Sequence, residues 1–220
     1  MTGMTRTHWA AITAVVLALL FAGAATVASA GSNDAPTSRT PSVDSADAGF
    51  ARDMSVHHQQ AVEMSFTVRD RTQDEEVRRL AYDIANTQAN QRGMMLGWLD
   101  LWGLPKVSAG SEPMAWMNRD GGHGGHGGGH QVEDGSLMPG MATTASLERL
   151  RKASDKQAEI LYLQLMIAHH NGGVAMAEGC VQLCGVGTER DLAQGMVDAQ
   201  RSEVELMLDL LHKRGAEALA

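Results

Sequence analysis

Apolar residues recur at intervals of three and four along four stretches of the chain, and no stretch alternates as a half-buried strand would. The first stretch predicts a helix from about Ser45 to Arg69. The second predicts a helix opening at Thr72, with Glu75 three residues on as a capping box, and stopping at Gly103 before Pro105. A third begins near Thr144 or Ser146 and ends around Gly179. The fourth opens at Thr188, with Asp191 in its first turn, and finishes on His212, Lys213, Arg214 and Gly215, which puts cations at the negative end of the helix dipole. Short connections within each pair make its helices antiparallel neighbours. The expectation is an all-α, antiparallel four-helix bundle built from two helical hairpins.

The same pattern returns at an offset of 112 residues. Met54-Ser-Val-His57-His58 with Met64 behind it becomes Met166-Ile-Ala-His169-His170 with Met176 behind it. Phe50/Tyr162, Val62/Val174, Leu80/Leu192, Ala81/Ala193, Gln88/Gln200, Met95/Met207, Leu99/Leu211 and Gly103/Gly215 share that offset. The chain therefore reads as a duplicated hairpin, each copy carrying one His-His/Met constellation. With Met54 as zero on a helix turning about 100° per residue, His57 falls near −60°, His58 near +40° and Met64 near −80°, whereas Glu63 points to about 180°. Adjacent histidines diverge too far to serve one metal equally. Either one of each pair is the inward ligand, or the two pairs serve separate sites.

A buried Met is ordinarily core filler, and a lone inward His is ordinarily a satisfied core residue. Two His-His pairs flanked by Met, in register across a duplication, point instead to a soft-metal site at Met54, His57, His58, Met64, Met166, His169, His170 and Met176. Thioether sulfur suits Cu(I), and imidazole accepts either copper oxidation state. Copper is thus the favoured metal, Cu(I) first and Cu(II) second. The oxygen clusters of a Ca or Mg site are missing at these positions, as is the close Cys/His spacing of structural zinc. A di-iron oxidase would need Glu-x-x-His on two helices, and no Glu-x-x-His occurs. In the second helices, Gln88 and Gln91 align with Gln200 and Glu203. Interhelical hydrogen bonding is the simpler account of them, and orientation of the His rings the functional one. Met95 and Met207 are secondary ligand candidates.

The link from Lys106 to Thr143 is long for a bundle and unusual in composition. Gly121-Gly-His123-Gly-Gly-His126-Gly-Gly-Gly-His130 is followed by Met138-Pro-Gly-Met141. It reads as a flexible Gly/His/Met loop, with His123, His126, His130, Met138 and Met141 as weaker metal-capturing residues. Cys180 and Cys184 stand at the end of the third predicted helix. A short-range disulfide is the first expectation and a Cu(I)-binding thiolate pair the second. Val68 and Thr72 occupy the matching places in the first copy.

Residues 1–30 have the layout of a secretory signal peptide: Arg6 in a polar start, an apolar run from about Ala10 to Val27, and Ala28-Ser29-Ala30 as a cleavage site. An uncleaved membrane anchor is the alternative, and the only route to a membrane. Residues 31–44 read as a disordered tether, 45–215 as the metal-binding domain with 106–143 inserted, and 216–220 as a tail. The signal removes one cation (Arg6) and no acid, so the net charge of −8 becomes −9 on cleavage. That balance argues against nucleic acid as a partner.

The Phe50…Met54-x-x-His57-His58…Val62-x-Met64 pattern, its second copy, Gln88-x-x-Gln91, Gln200-x-x-Glu203 and Met138-Pro-Gly-Met141 resemble the domain of unknown function 305 family over about residues 45 to 215. The resemblance implies a ferritin-like four-helix bundle, commonly exported, with some members associated with copper binding and with copper or silver tolerance. It also implies the eight His and Met positions above as the metal site. One departure stands out: His170 is followed by Asn171-Gly172-Gly173 where the first copy has Gln59-Gln60-Ala61. The functional expectation is an exported copper-binding protein that buffers, sequesters or hands on copper, without catalysis, to a copper-exporting or copper-accepting envelope protein. The alternatives are an envelope interaction or stress module with structural histidines, and a metal-dependent oxidase. Nothing in the sequence decides the oligomeric state.

Overall fold

The computed structural model describes residues 40–108, 110, 112–118 and 134–219. Five α-helices and one short 3-10 helix occupy them, and no strand runs among the described residues: α1 is Ala46–Arg69, α2 Glu75–Leu101, α3 Thr144–Lys152, α4 Asp155–Leu183 and α5 Gly187–Lys213, with the 3-10 turn at Ala115–Asn118. The predicted signal peptide, most of the tether and the Gly/His tract with His123, His126 and His130 lie outside the described residues. No described helix is long and apolar enough to cross a membrane.

Local chemistry sets the helix ends. Ser45 caps α1 by accepting from the Ala48 N–H. The α2 cap is Asp74, which accepts from Val77 N–H at 2.9 Å, rather than the expected Thr72. Thr72 is drawn away because its hydroxyl donates to the buried carboxylate of Glu159, 2.5 Å off on α4. The predicted third helix is broken in two, and its second part runs on to Leu183. Ala153 and Ser154 turn extended, Asp155 takes a φ of 49°, and Asp155 N–H bonds to Arg71 O at 2.7 Å. That backbone bond to the α1–α2 turn is made only if the helix interrupts.

The hairpins α1/α2 and α4/α5 pack on one another through α1 and α4, which run antiparallel. Asp47 Oδ1 accepts from Val186 N–H, His57 stacks on His169, and Ser65 meets Tyr162, so the paired numbers rise along one helix as they fall along the other. One end is closed by Glu159, which accepts from Thr72 and from Arg214 Nε (2.6 Å), with Arg214 also paired to Asp74. The other end carries the Cys180–Cys184 disulfide. Breaking a buried ion pair on one side leaves an uncompensated charge, so Arg214 belongs to the structural end of the molecule.

The link between hairpins is not loose at its two ends. Trp116 packs edge-on against Phe50 with centroids 5.8 Å apart and donates through Nε1 to Asp53, which also accepts from Met114 N–H. Gln60 grips the returning strand of chain from α1, donating to Ala142 O (2.9 Å) and accepting from Ala142 N–H (2.7 Å). The expectation of a flexible insertion over 106–143 is therefore corrected at both flanks. Apolar burial of Trp116 and Met138 outweighs the chain entropy that composition alone suggested.

Candidate metal centre

All eight principal candidates, Met54, His57, His58, Met64, Met166, His169, His170 and Met176, are fully buried. The helical phase of α1 and α4 brings them to the seam. His57 and His169 face each other with ring centroids 3.8 Å apart and planes tilted by 34°. His58 and His170 turn instead toward the second helix of their own hairpin. His58 Nε2 lies 2.9 Å from Gln91 Oε1, and His170 Nε2 lies 2.7 Å from Glu203 Oε2. These two pairs are exact equivalents at the offset of 112. Both accounts of these residues meet here: Gln91 and Glu203 make interhelical hydrogen bonds to the rings, while Gln88 and Gln200 stand buried.

The inner pair breaks the symmetry. His169 Nε2 meets the backbone carbonyl of His57 at 3.0 Å, but His57 Nε2 meets Pro139 O at 3.2 Å. Met138-Pro-Gly-Met141 can reach His57 because of the residue after Asn171. A Cβ on Gly172 would lie 1.9 Å from Pro139 O, and one on Gly140 (φ 76°) would lie 2.2 Å from Ala168 O. Gly172 is the counterpart of Gln60. The same register position thus holds the same segment in both copies, once with a side chain and once by lacking one.

Each ring spends Nε2 on an oxygen acceptor, which fixes a proton there, and in a neutral ring Nδ1 then keeps its lone pair. All four Nδ1 atoms are buried without a protein partner. Desolvation dominates the titration of His57, His58 and His169. It lowers His57 to about 4, against a weaker opposing pull from Pro139 O, and lowers His58 to about 3. His169 is held well below the ordinary histidine value, first by burial and then by His57. Neutral imidazoles whose second nitrogen is tied to oxygen are what metal ligation requires.

The methionines divide into two clusters that the repeat does not foreshadow. Met54, Met95 and Met176 pack in one, together with Met138 and Met196; Met64, Met166 and Met207 pack in the other. Shifting the first trio by 112 yields the second, so the clusters are equivalents. Each trio nevertheless draws from both copies, because α1 and α4 run antiparallel. The reading of one constellation per copy is corrected accordingly. Met141 is partly buried at the edge of the Met54 cluster. Among the described residues, the three-donor group of His, Cys, Asp or Glu is Cys180, Cys184 and Glu189, not a set of imidazoles. Metal at the seam would thus rely on few imidazoles supplemented by thioether sulfur. Cys180 and Cys184 are joined as a disulfide. Glu189, missed in the sequence, was detectable only as an acid in the first turn of a helix.

The family model for the Domain of unknown function (DUF305) matches residues 47–211. The chain belongs to the DUF305 family. A DUF305 protein from Streptomyces coelicolor, described as presumed secreted, is 62% identical, with a TM-score of 0.72 over 81% of this chain and 99% of that one. A DUF305 fragment from Deinococcus radiodurans is 30% identical, with a TM-score of 0.60 over 76% of this chain and 96% of that one. CopM in its Cu(I)-bound form shares the fold at 20% identity, with a TM-score of 0.56 over 76% of this chain and 96% of that one. No curated protein matches the chain. The helical DUF305 fold and the eight buried ligand-type residues are therefore found together.

Proposed function

We propose that this DUF305 protein is an exported, non-catalytic copper-binding protein that buffers or hands on Cu(I), with Cu(II) as the alternative state. The observation that carries the reading is the set of four buried imidazoles with unpartnered Nδ1 atoms on α1 and α4, the helices that feed both methionine trios. Soft thioethers with neutral imidazoles suit Cu(I) better than harder cations. CopM, crystallised with Cu(I), Cu(II) and silver, supports the choice of metal by its fold alone. The presumed secreted relative and the signal-like residues 1–30 support export. The Gly/His tract precedes Met138 and Met141 along the chain, and in this reading it captures copper weakly and passes it toward the core.

Titration of the full chain with Cu(I), Cu(II) and Zn(II) under controlled redox conditions tests this. His57→Ala/His169→Ala should lower Cu(I) affinity by more than about 100-fold, beyond the range expected for losing a supporting hydrogen bond. Gln91→Leu should cost roughly 10–100-fold by freeing the His58 ring. Retention of full affinity by the double His variant would leave the histidines as structural groups of an interaction module. Oxygen or peroxide turnover in proportion to bound metal would revive the oxidase.

The methionine exchange between copies gives a separate expectation. Met54→Leu/Met176→Leu removes two sulfurs from one trio and should abolish one Cu(I) site while sparing the other. Met64→Leu/Met176→Leu takes one sulfur from each and should weaken both sites without changing stoichiometry. Identical titrations from the two double variants would rule out two trio-based sites.

A further inference from the structure

The duplication supplies its own comparison for the two ends of the bundle. At one end Glu159 is satisfied by Thr72 and Arg214, with Val68 and Val77 in the adjoining core. At the offset of 112, Val68, Thr72 and Val77 become Cys180, Cys184 and Glu189. The counterpart of Glu159 is Asp47, and that of Arg214 is Trp102. The end that loses the arginine has gained two sulfurs and a second carboxyl.

These groups converge. One sulfur from each cysteine and one carboxyl oxygen of Glu189 lie within 4.8 Å of one another, all on buried residues. Neither Glu189 oxygen receives an N–H or hydroxyl hydrogen from the protein. Its neighbour is the carboxyl of Asp47, whose Oδ1 already accepts from Val186 N–H at 2.7 Å. Burial first, and Asp47 second, push Glu189 up to about 9, so Glu189 keeps its proton at neutral pH. Packing alone does not call for such a group, since the equivalent position is filled by valine. A buried carboxyl whose only polar neighbour is another carboxyl is costly to fold, and its presence beside two sulfurs points to a ligand.

We propose that Cys180, Cys184 and Glu189 form a redox-gated site for a divalent cation of the zinc type, closed while the disulfide is intact. A dithiol reductant opens it. The S–S bond takes up two electrons and two protons to give two thiols, and the dithiol closes to its own disulfide. Cation binding then displaces the thiol protons and the proton on Glu189. Two thiolates and a carboxylate, with Asp47 alongside as a further oxygen source, match the mixed ligand set and low coordination number of Zn(II). Oxygen donors suit Cu(I) poorly. The site is separate from the imidazole and thioether seam and does not depend on copper binding there.

Co(II) is the probe, because thiolate ligation gives it an intense sulfur-to-metal charge-transfer band that imidazole and thioether ligands do not. The dithiol-reduced full chain should develop that band and lose it when Zn(II) is added, and the oxidised chain should show none. Cys180→Ser should abolish the band. Glu189→Gln should weaken Zn(II) binding to the reduced chain by at least about tenfold. Its melting temperature should hold or rise, which separates lost binding from lost fold. His57→Ala/His169→Ala should leave the band in place even if copper binding fails. A reduced wild-type chain without the band would overturn the proposal, as would Zn(II) affinity unchanged by Glu189→Gln. Preferential capture of Cu(I) by the two sulfurs, indifferent to Glu189, would overturn it equally.

Discussion

Gly172→Ala should destabilise the protein by about 2–4 kcal/mol, although alanine is the better helix former by about 1 kcal/mol. The new Cβ would sit 1.9 Å from Pro139 O and 2.5 Å from its carbon, both backbone atoms with no rotamer to escape into. The segment Met138–Met141 must lift. Its departure overpacks or empties the seat on α4 and strips His57 Nε2 of its acceptor, leaving a buried N–H unpaired. Gly173→Ala is the control. Its Cβ would meet first the amide end of the Gln200 side chain, with Oε1 at 2.5 Å, and that side chain can turn aside. The neighbouring substitution should therefore change stability by less than about 1 kcal/mol. Urea or guanidinium midpoints of the two variants decide the matter, and equal midpoints would mean that Pro139 does not rest on Gly172. The same displacement should weaken Cu(I) binding only in the Gly172 variant.

The metal-free protein should lose most of its stability between pH 6.5 and 4. Histidine in the unfolded chain titrates near 6.5, but burial lowers His57 to about 4 and His58 to about 3 in the fold. A base whose folded pKa is depressed is protonated more readily when unfolded. Its contribution is fully present above pH 6.5, and is lost as pH falls from there through the folded values. The shifts amount to losses on the order of 3–5 kcal/mol for each of the two residues. His169 adds to the loss in the same direction. That sum rivals the roughly 5–15 kcal/mol that holds a domain folded. Denaturant midpoints measured on metal-free protein at pH 7, 6, 5 and 4 should fall steadily, and midpoints flat across that range would show that the rings are not buried as neutral bases. Saturating copper should oppose the fall at pH 6 and fail progressively below it, since protons and metal compete for the same Nδ1 lone pairs.

How far the sequence could be read depended on whether the signal was local. Helix phase placed α1, α2 and α5 to within a few residues, because capping and apolar spacing act over one or two turns. The α2 cap and the break at Ala153–Ser154 escaped, since Thr72 and Asp155 answer to partners on other elements, Glu159 and Arg71. The docked flanks of the long link escaped for the same reason. Gly and Ser composition reports chain entropy, and only the pocket beneath Trp116 and the grip of Gln60 show what offsets it. Glu189 offered no more than an acid in a first helical turn, because the carboxyl that faces it, Asp47, lies in the other hairpin.

The repeated Met-x-x-His-His…Met string by itself determined the residue types, the duplicated hairpin and the burial of one helical face, since periodicity along a helix fixes which side chains share a side. What it left undetermined is which of those side chains meet. The antiparallel crossing of α1 and α4 pairs His57 with His169 and gives each methionine trio members from both copies. The Gly172–Gly173 departure, legible as a loosened helix or as room for another backbone, proved to be the seat of Pro139 over His57. A linear pattern encodes rotation about one axis. The direction of the second axis, and the backbone that fits between the two, are set by packing.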